Sequence, residues 1–109
     1  MKLLASAILT LFSLNAFSID GWTGETTVDS IRVYTSEYVL ITMDTTHNPS
    51  NCTDTDYLML EDANSDTGKR KYSTLLAAYA AKSTVNIGMT GCSGEGTSGY
   101  RIIDQIWVK

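Results

Sequence analysis

KRKYSTLLAAYAA, residues 69–81, is the one stretch of this 109-residue chain whose apolar side chains recur with helical spacing. Four of them share one face at positions i, i+3, i+4 and i+7: Tyr72, Leu75, Leu76 and Tyr79. The alanines between and after them favour the helical state and allow the backbone to approach a sheet closely. The pattern therefore predicts a single helix that ends near Lys82 and Ser83.

Alternating apolar residues on both sides of this helix predict five strands, three before it and two after it. Their predicted ranges are residues 28–34, 38–43, 57–60, 85–89 and 100–108. In the last strand we expect Ile102, Ile106 and Val108 to share one face and Ile103 and Trp107 to share the other. The order β-β-β-α-β-β is that of the OB fold, a five-stranded, partly open barrel, whereas a β-sandwich would need more strands. We therefore expect a mainly β protein with one helix (α+β) and an OB-like barrel.

Two cysteines, Cys52 and Cys92, bracket the predicted helix. We place Cys52 in the connection between the second and third strands, and Cys92 just after the fourth strand. In an exported protein such a pair predicts a disulfide. Closing a loop of roughly 40 residues would stabilise the fold by roughly 4 kcal/mol in the chain-entropy model.

Residues 1–18 have the pattern of a signal peptide. Lys2 precedes an apolar run at residues 3–14. Small residues, Ala16 and Ser18, lie at the two positions that signal peptidase recognises, which predicts cleavage before Ile19. A membrane anchor is the alternative, but the run is shorter than the ~20 residues that a bilayer span needs. We predict a single domain at residues 19–109, with no membrane span after cleavage, in the periplasm or secreted.

Charge and motifs argue against several functions. The chain has 8 lysine and arginine residues against 12 aspartate and glutamate residues, and this acidic balance disfavours nucleic-acid binding. The segment 94–99 matches G-x-G-x-x-G, but a predicted strand follows it, so we expect a loop and no cofactor. The segment 62–68 begins like a calcium loop, but Ser73 stands where the loop needs a glutamate. There we expect a turn with Asp66 or Thr67 as the helix N-cap, although calcium binding stays open.

Aromatic side chains are the better lead to a function, because their faces can stack on sugars. We predict ligand-binding roles for Trp22, Tyr34, Tyr38 and Tyr100. The alternative is structural: Trp22 would close one end of the barrel and Trp107 would pack beneath the helix.

Three motifs resemble a group of uncharacterised small exported proteins of marine proteobacteria. They are NPSNC at residues 48–52, LLAA at 75–78, and the segment 85–92 that ends in Gly-Cys. The likeness spans most of residues 19–109 and implies the same fold and disulfide. It implies no activity.

Residues 21–24 (GWTG) are similar to the mature start of the B subunits of subtilase-cytotoxin and pertussis-like toxins. That resemblance implies an OB barrel that binds glycans and assembles into a ring, so a homo-oligomer is one expectation. Where those subunits carry a sugar-contacting aspartate and serine, this chain has Val28 and Arg32. The resemblance therefore assigns no sugar-binding residue.

The sequence predicts an exported, non-catalytic binding module for a glycan or a protein. One alternative is a periplasmic interaction or inhibitor protein whose acidic loops engage a basic partner. The other is a small hydrolase built on His47, Asp54 and Asp56. With both cysteines in a disulfide, no thiol nucleophile is left, and we predict no metal site and no catalytic residue.

Overall fold

A computed structural model describes residues 19–109, so the predicted signal peptide at residues 1–18 lies outside the described residues. Within this range the chain forms strands and one helix, as the alternating and helical patterns predict. The elements are β1 (Gly21–Trp22), β2 (Val28–Val33), β3 (Val39–Met43), β4 (Asp54–Leu60), α1 (Asp66–Ala81), β5 (Val85–Cys92) and β6 (Tyr100–Val108). The mainly β class with one helix is confirmed.

The prediction of five strands is wrong by one, because β1 was missed. A strand of two residues, Gly21 and Trp22, cannot show the alternation that reveals longer strands. It is held by its partner instead, since Gly21 pairs with Met89 and Trp22 pairs with Gly88 of β5.

The six strands form one open sheet in the order β1-β5-β6-β4-β3-β2. All neighbours are antiparallel except β4 and β6, which run parallel. Consecutive strands β1 and β2 stand at opposite ends of this order, which in a flat sheet would be roughly 24 Å apart. The chain from Trp22 to Val28 can span only about 21 Å, so the sheet has to curl. The curl brings Thr26 onto Val85 of β5, where their backbones exchange hydrogen bonds of 3.0 and 2.7 Å.

The main core lies between the inner face of this curled sheet and α1. Leu75 and Ala78 of the helix are buried against it, whereas Leu76 and Tyr79 of the predicted apolar stripe are largely exposed. Strands β2 to β6 contribute the other buried residues of this core, and those of β3 alternate as predicted: Val28, Val39, Ile41, Met43, Leu58, Leu60, Val85, Ile87, Met89 and Ile103. The helix thus uses a narrower apolar stripe than its sequence offers.

The helix starts earlier than its apolar spacing indicates, and its N-cap is Ser65 rather than Asp66 or Thr67. The Ser65 hydroxyl accepts a 3.0 Å hydrogen bond from the backbone N–H of Gly68. This bond satisfies one of the free N–H groups of the first turn. The predicted C-terminus is correct, because Lys82 adopts the left-handed conformation and ends the helix.

The predicted faces of the last strand are correct for Ile106 and Val108 but wrong for Ile102 and Ile103, because a β-bulge interrupts the alternation. Gln105 pairs with Gly88 while Ile103 pairs with Met89, so Asp104 is the extra residue. Ile103 and Ile106 therefore both pack on the main core, and Ile102 faces the other way. Trp107 does not pack beneath the helix, since 58% of it is exposed.

The disulfide between Cys52 and Cys92 is present, with Cα atoms 5.6 Å apart. Cys92 is the last residue of β5 rather than part of the following loop, because β5 continues three residues beyond its predicted end at Met89. Within residues 19–109, no helix has the length and apolar character needed to cross a membrane.

Candidate ligand-binding face

A second apolar cluster lies on the outer face of the sheet, opposite the main core. It consists of Leu40, Met59 and Ile102, each less than a tenth exposed. The strand registers place them in one row, because Leu40 pairs with Met59 and Met59 pairs with Ile102. The row continues to Arg32, which pairs with Leu40. The outer side of four adjacent strands therefore has a continuous, buried apolar floor that supports the side chains above it, with a cation at one end.

Two tyrosines pack against this floor. Tyr57 and Tyr100 lie two residues before Met59 and Ile102 on their strands, and strand alternation puts them on the same face. Their ring centroids are 5.8 Å apart with an interplanar angle of 82°, an edge-to-face contact. Such pairs stabilise one another beyond the area they bury. Both rings therefore have a fixed position beside the floor.

Arg32 links these tyrosines to the turn between β2 and β3. One guanidinium nitrogen lies 3.5 Å from the Tyr57 hydroxyl, to which it donates. The guanidinium carbon lies 5.7 Å from the ring centroid of Tyr34, within cation–π range. Arg32 is exposed, and among residues 19–109 it forms no ion pair, since the one ion pair there joins Lys109 to Glu25. Its charge is therefore open to a ligand.

The turn itself is held by hydrogen bonds. The backbone N–H of Tyr34 donates to the carbonyl of Tyr38 over 3.0 Å. The Thr35 hydroxyl accepts from the backbone N–H groups of Glu37 and Tyr38, each over 3.2 Å. Tyr34 and Tyr38 are 57% and 37% exposed, so their rings are accessible.

We call this surface the tyrosine face and define it by Arg32, Tyr34, Tyr38, Tyr57 and Tyr100 around the apolar floor. Three of the four residues predicted to bind ligand belong to it. The fourth, Trp22, lies on β1 at the other end of the strand order, where its ring covers the backbone of Gly88.

Sequence reasoning missed Arg32 and Tyr57 as members of this face. Tyr57 was the first residue of a predicted four-residue strand, whereas β4 begins at Asp54. Tyr57 lies two residues before Met59, with the core residue Leu58 between them. This alternation could have placed Tyr57 on the outer face together with Met59. Arg32 alternates with Ile31 in the same way on β2.

A buried arginine anchors the connection between β3 and β4. Arg101 is 2% exposed and donates to the carbonyls of His47 and Thr55 over 2.8 and 2.6 Å. Among the described residues its Nε has no hydrogen-bond partner. Burial without a carboxylate lowers the pKa of the guanidinium. The two bonds fix the backbone on both sides of Cys52.

The first residues of the described chain are tied to the two segments that the disulfide joins. One Asp20 carboxylate oxygen accepts from the Ser50 hydroxyl and from the Gly91 backbone N–H, the latter over 2.8 Å. These two hydrogen bonds lower the pKa of Asp20, with the Ser50 bond as the larger cause. The carboxylate and the disulfide together hold three segments of the chain in one place.

The residues of the hydrolase alternative are exposed, as Asp54, Asp56 and His47 all lie at the surface. The contacts recorded for His47 involve its backbone: its N–H donates to Thr45 Oγ1, and its carbonyl accepts from Arg101. Within residues 19–109, no group of three or more histidine, cysteine or acidic side chains is placed to hold a metal ion. The segment with calcium-loop character forms the turn that Ser65 closes.

Two concave surfaces lie along α1, and the lining of one of them includes Ile102 of the apolar floor. A cleft of about 230 Å³ at the start of α1 includes the acidic side chains Glu61, Asp62 and Asp104. Burial, and to a lesser extent the charge of Asp62, raise the pKa of Glu61. A shallow groove of about 420 Å³ runs along the small residues Ala77 and Ala81 of α1 to Val108. Neither concavity contains an exposed aromatic ring.

Comparison with models of known families, with curated protein sequences and with solved structures finds no match to this chain.

Proposed function

We propose that this protein is an exported, non-catalytic binding module that holds a saccharide on the tyrosine face. The observation that carries the proposal is the row from Arg32 through Leu40 and Met59 to Ile102, flanked by tyrosine rings. It combines tyrosine rings, supported by a buried apolar floor, with hydroxyl groups and one cation on a single surface. Ligand sites typically have this composition, mostly apolar with a few placed polar groups.

A saccharide suits this surface because a sugar ring has an apolar C–H face and a rim of hydroxyls. The tyrosine rings offer flat apolar area, and their hydroxyls offer donors and acceptors. Ser30 and Thr42, whose hydroxyls lie 2.6 Å apart, add polar atoms on the outer side of β2 and β3. A ligand that stacks and hydrogen-bonds at once would use both kinds of group.

We further propose that the fold is an OB-like barrel. The short strand β1 and the following β2 act as one long bent first strand, which reduces six strands to the five of that fold. The Thr26–Val85 bridge, the parallel pair β4–β6 and the position of α1 between β4 and β5 support this correspondence. OB folds bind oligosaccharides and oligonucleotides on the face that contains β3 and β4 here. The acidic charge of the chain favours the saccharide.

We place the mature protein in the periplasm or outside the cell, where the Cys52–Cys92 disulfide would form and persist. The proposed relationship to exported proteins of marine proteobacteria and to toxin B subunits concerns the fold and not individual sugar contacts. Assembly into a ring remains part of that proposed relationship.

An oligosaccharide array tests the proposed function, with the exported, oxidised protein as the probe. We expect binding by the wild type and loss of at least tenfold in affinity for the double variant Tyr34→Ala/Tyr100→Ala, since two stacking rings are removed. Tyr79→Ala is the matched control, because Tyr79 is a 43% exposed ring on α1 away from the tyrosine face. Equal binding by all three proteins, or no binding to any saccharide, would contradict the proposal.

A further inference from the structure

We infer that Arg32 makes the tyrosine face selective for acidic saccharides, those whose rings carry carboxylate or sulfate groups. The inference rests on the proposed function and adds the chemical class of its ligand. Three observations carry it: the placement of the guanidinium, its lack of a charged partner, and the scarcity of cations elsewhere on this surface.

The guanidinium has a defined place on the face. It lies 5.7 Å from the Tyr34 ring centroid and 3.5 Å from the Tyr57 hydroxyl, at the end of the row that forms the floor. A sugar ring stacked on either tyrosine therefore brings its substituents next to Arg32. The position is set by a cross-strand pair with Leu40, which is buried, so the backbone beneath the guanidinium is fixed.

The charge of Arg32 is unpaired within residues 19–109, although the chain carries more acidic than basic side chains. Its one recorded side-chain hydrogen bond is to a neutral hydroxyl, and that bond is long. A guanidinium presents five donors in a planar fork that matches the two oxygens of a carboxylate or sulfate. Replacing the long bond to Tyr57 by two charge-assisted bonds to an oxyanion would be favourable.

Arg32 is also the one cationic member of the tyrosine face as defined above. In a chain with a formal net charge of −4, an anionic ligand is repelled at long range. Beyond a Debye length of about 8 Å that repulsion is screened at physiological salt, whereas direct contact with Arg32 is not. Binding of an acidic sugar would therefore depend strongly on this single side chain.

Matched oligosaccharides test the inference: a galacturonic acid trisaccharide, the galactose trisaccharide of the same linkage, and its sulfated form. For the wild type we expect at least one acidic form to bind roughly tenfold more tightly than the neutral form. Arg32→Gln should abolish this preference, so that the acidic and neutral forms bind with equal affinity to the variant, whatever affinity both forms lose together. Arg32→Lys should keep part of it, because the charge stays while the planar fork is lost.

Each outcome separates the inference from the proposed function. Equal affinity of the wild type for acidic and neutral forms overturns the selectivity and leaves saccharide binding in place. An acidic preference that survives in Arg32→Gln overturns the role of Arg32. Absence of binding to all three sugars overturns the inference, whereas the proposed function then depends on the wider array. The carboxylated and sulfated arms decide which oxyanion is preferred.

Discussion

Arg101 and Arg32 have the same type of side chain but differ in burial and in the groups that they contact. Arg101 is the one buried charged side chain among residues 19–109 and binds two backbone carbonyls. Arg32 lies on the surface and contacts two tyrosines. Sequence alternation alone could not separate them, because the burial of Arg101 depends on the β3–β4 connection that folds over it. The sequence therefore predicts the positive charge of both arginines, but only the tertiary structure shows which of them is buried.

Arg101→Met should lower the free energy of unfolding by about 1–3 kcal/mol. The carbonyls of His47 and Thr55 lose their donor, and removal of the buried charge offsets only part of that cost. Arg32→Met is the matched control and should change stability by less than about 0.5 kcal/mol, because its site is exposed. Urea denaturation of both variants measures the difference. Equal effects would show that Arg101 does not anchor the loop.

At the scale of single elements, the helix and the last strand differ in how far local sequence predicts them. The centre and the end of α1 follow from its periodicity and from the residues after Lys82. Its start does not, because residues 66–68 lack apolar spacing and the cap at Ser65 is a specific hydrogen bond. In β6 the bulge at Asp104 reverses the faces, and bulges depend on the partner strand rather than on the strand's own sequence.

Gly68→Ala should destabilise the protein, the reverse of the usual effect in a helix. Alanine normally favours a helix over glycine by about 1 kcal/mol. Here a Cβ atom on Gly68 would overlap the Asp62 carbonyl oxygen, so the backbone before the helix would have to move. We expect a loss of about 1–3 kcal/mol, as for other overpacked sites. Thermal unfolding beside Ser73→Ala, an exposed helix position, measures it, and a stabilised Gly68→Ala would refute the close approach.

At the scale of the whole molecule, the disulfide joins the connection after β3 to the end of β5 across a sequence separation of 40 residues. The predicted disulfide is confirmed, and two cysteines allow one intramolecular pairing, whereas export of the chain stays a prediction. The class of the fold could also be predicted, because the spacing of apolar residues that indicates a strand or a helix is visible within a short stretch of sequence. The first strand and the tyrosine face could not, because both arise only when distant strands come into register.

The double variant Cys52→Ala/Cys92→Ala should lose roughly 4 kcal/mol of the free energy of unfolding, because the unfolded chain regains loop entropy. Small domains have only about 5–15 kcal/mol in total, so the variant should unfold at much lower urea concentration. The other ties to the same region, from Asp20 and Arg101, remain in the variant. A loss below about 1 kcal/mol would indicate that these hydrogen bonds hold the loops without the disulfide.

The most direct test of the tyrosine face is an NMR titration of the ¹⁵N-labelled, disulfide-bonded protein with the tightest-binding oligosaccharide of the array. Binding on this face predicts amide shift changes concentrated at Arg32, Tyr34, Tyr57 and Tyr100, which lie on β2, β4, β6 and the turn after β2. Shift changes confined to α1 and the exposed Trp107 would place the ligand elsewhere and contradict the account.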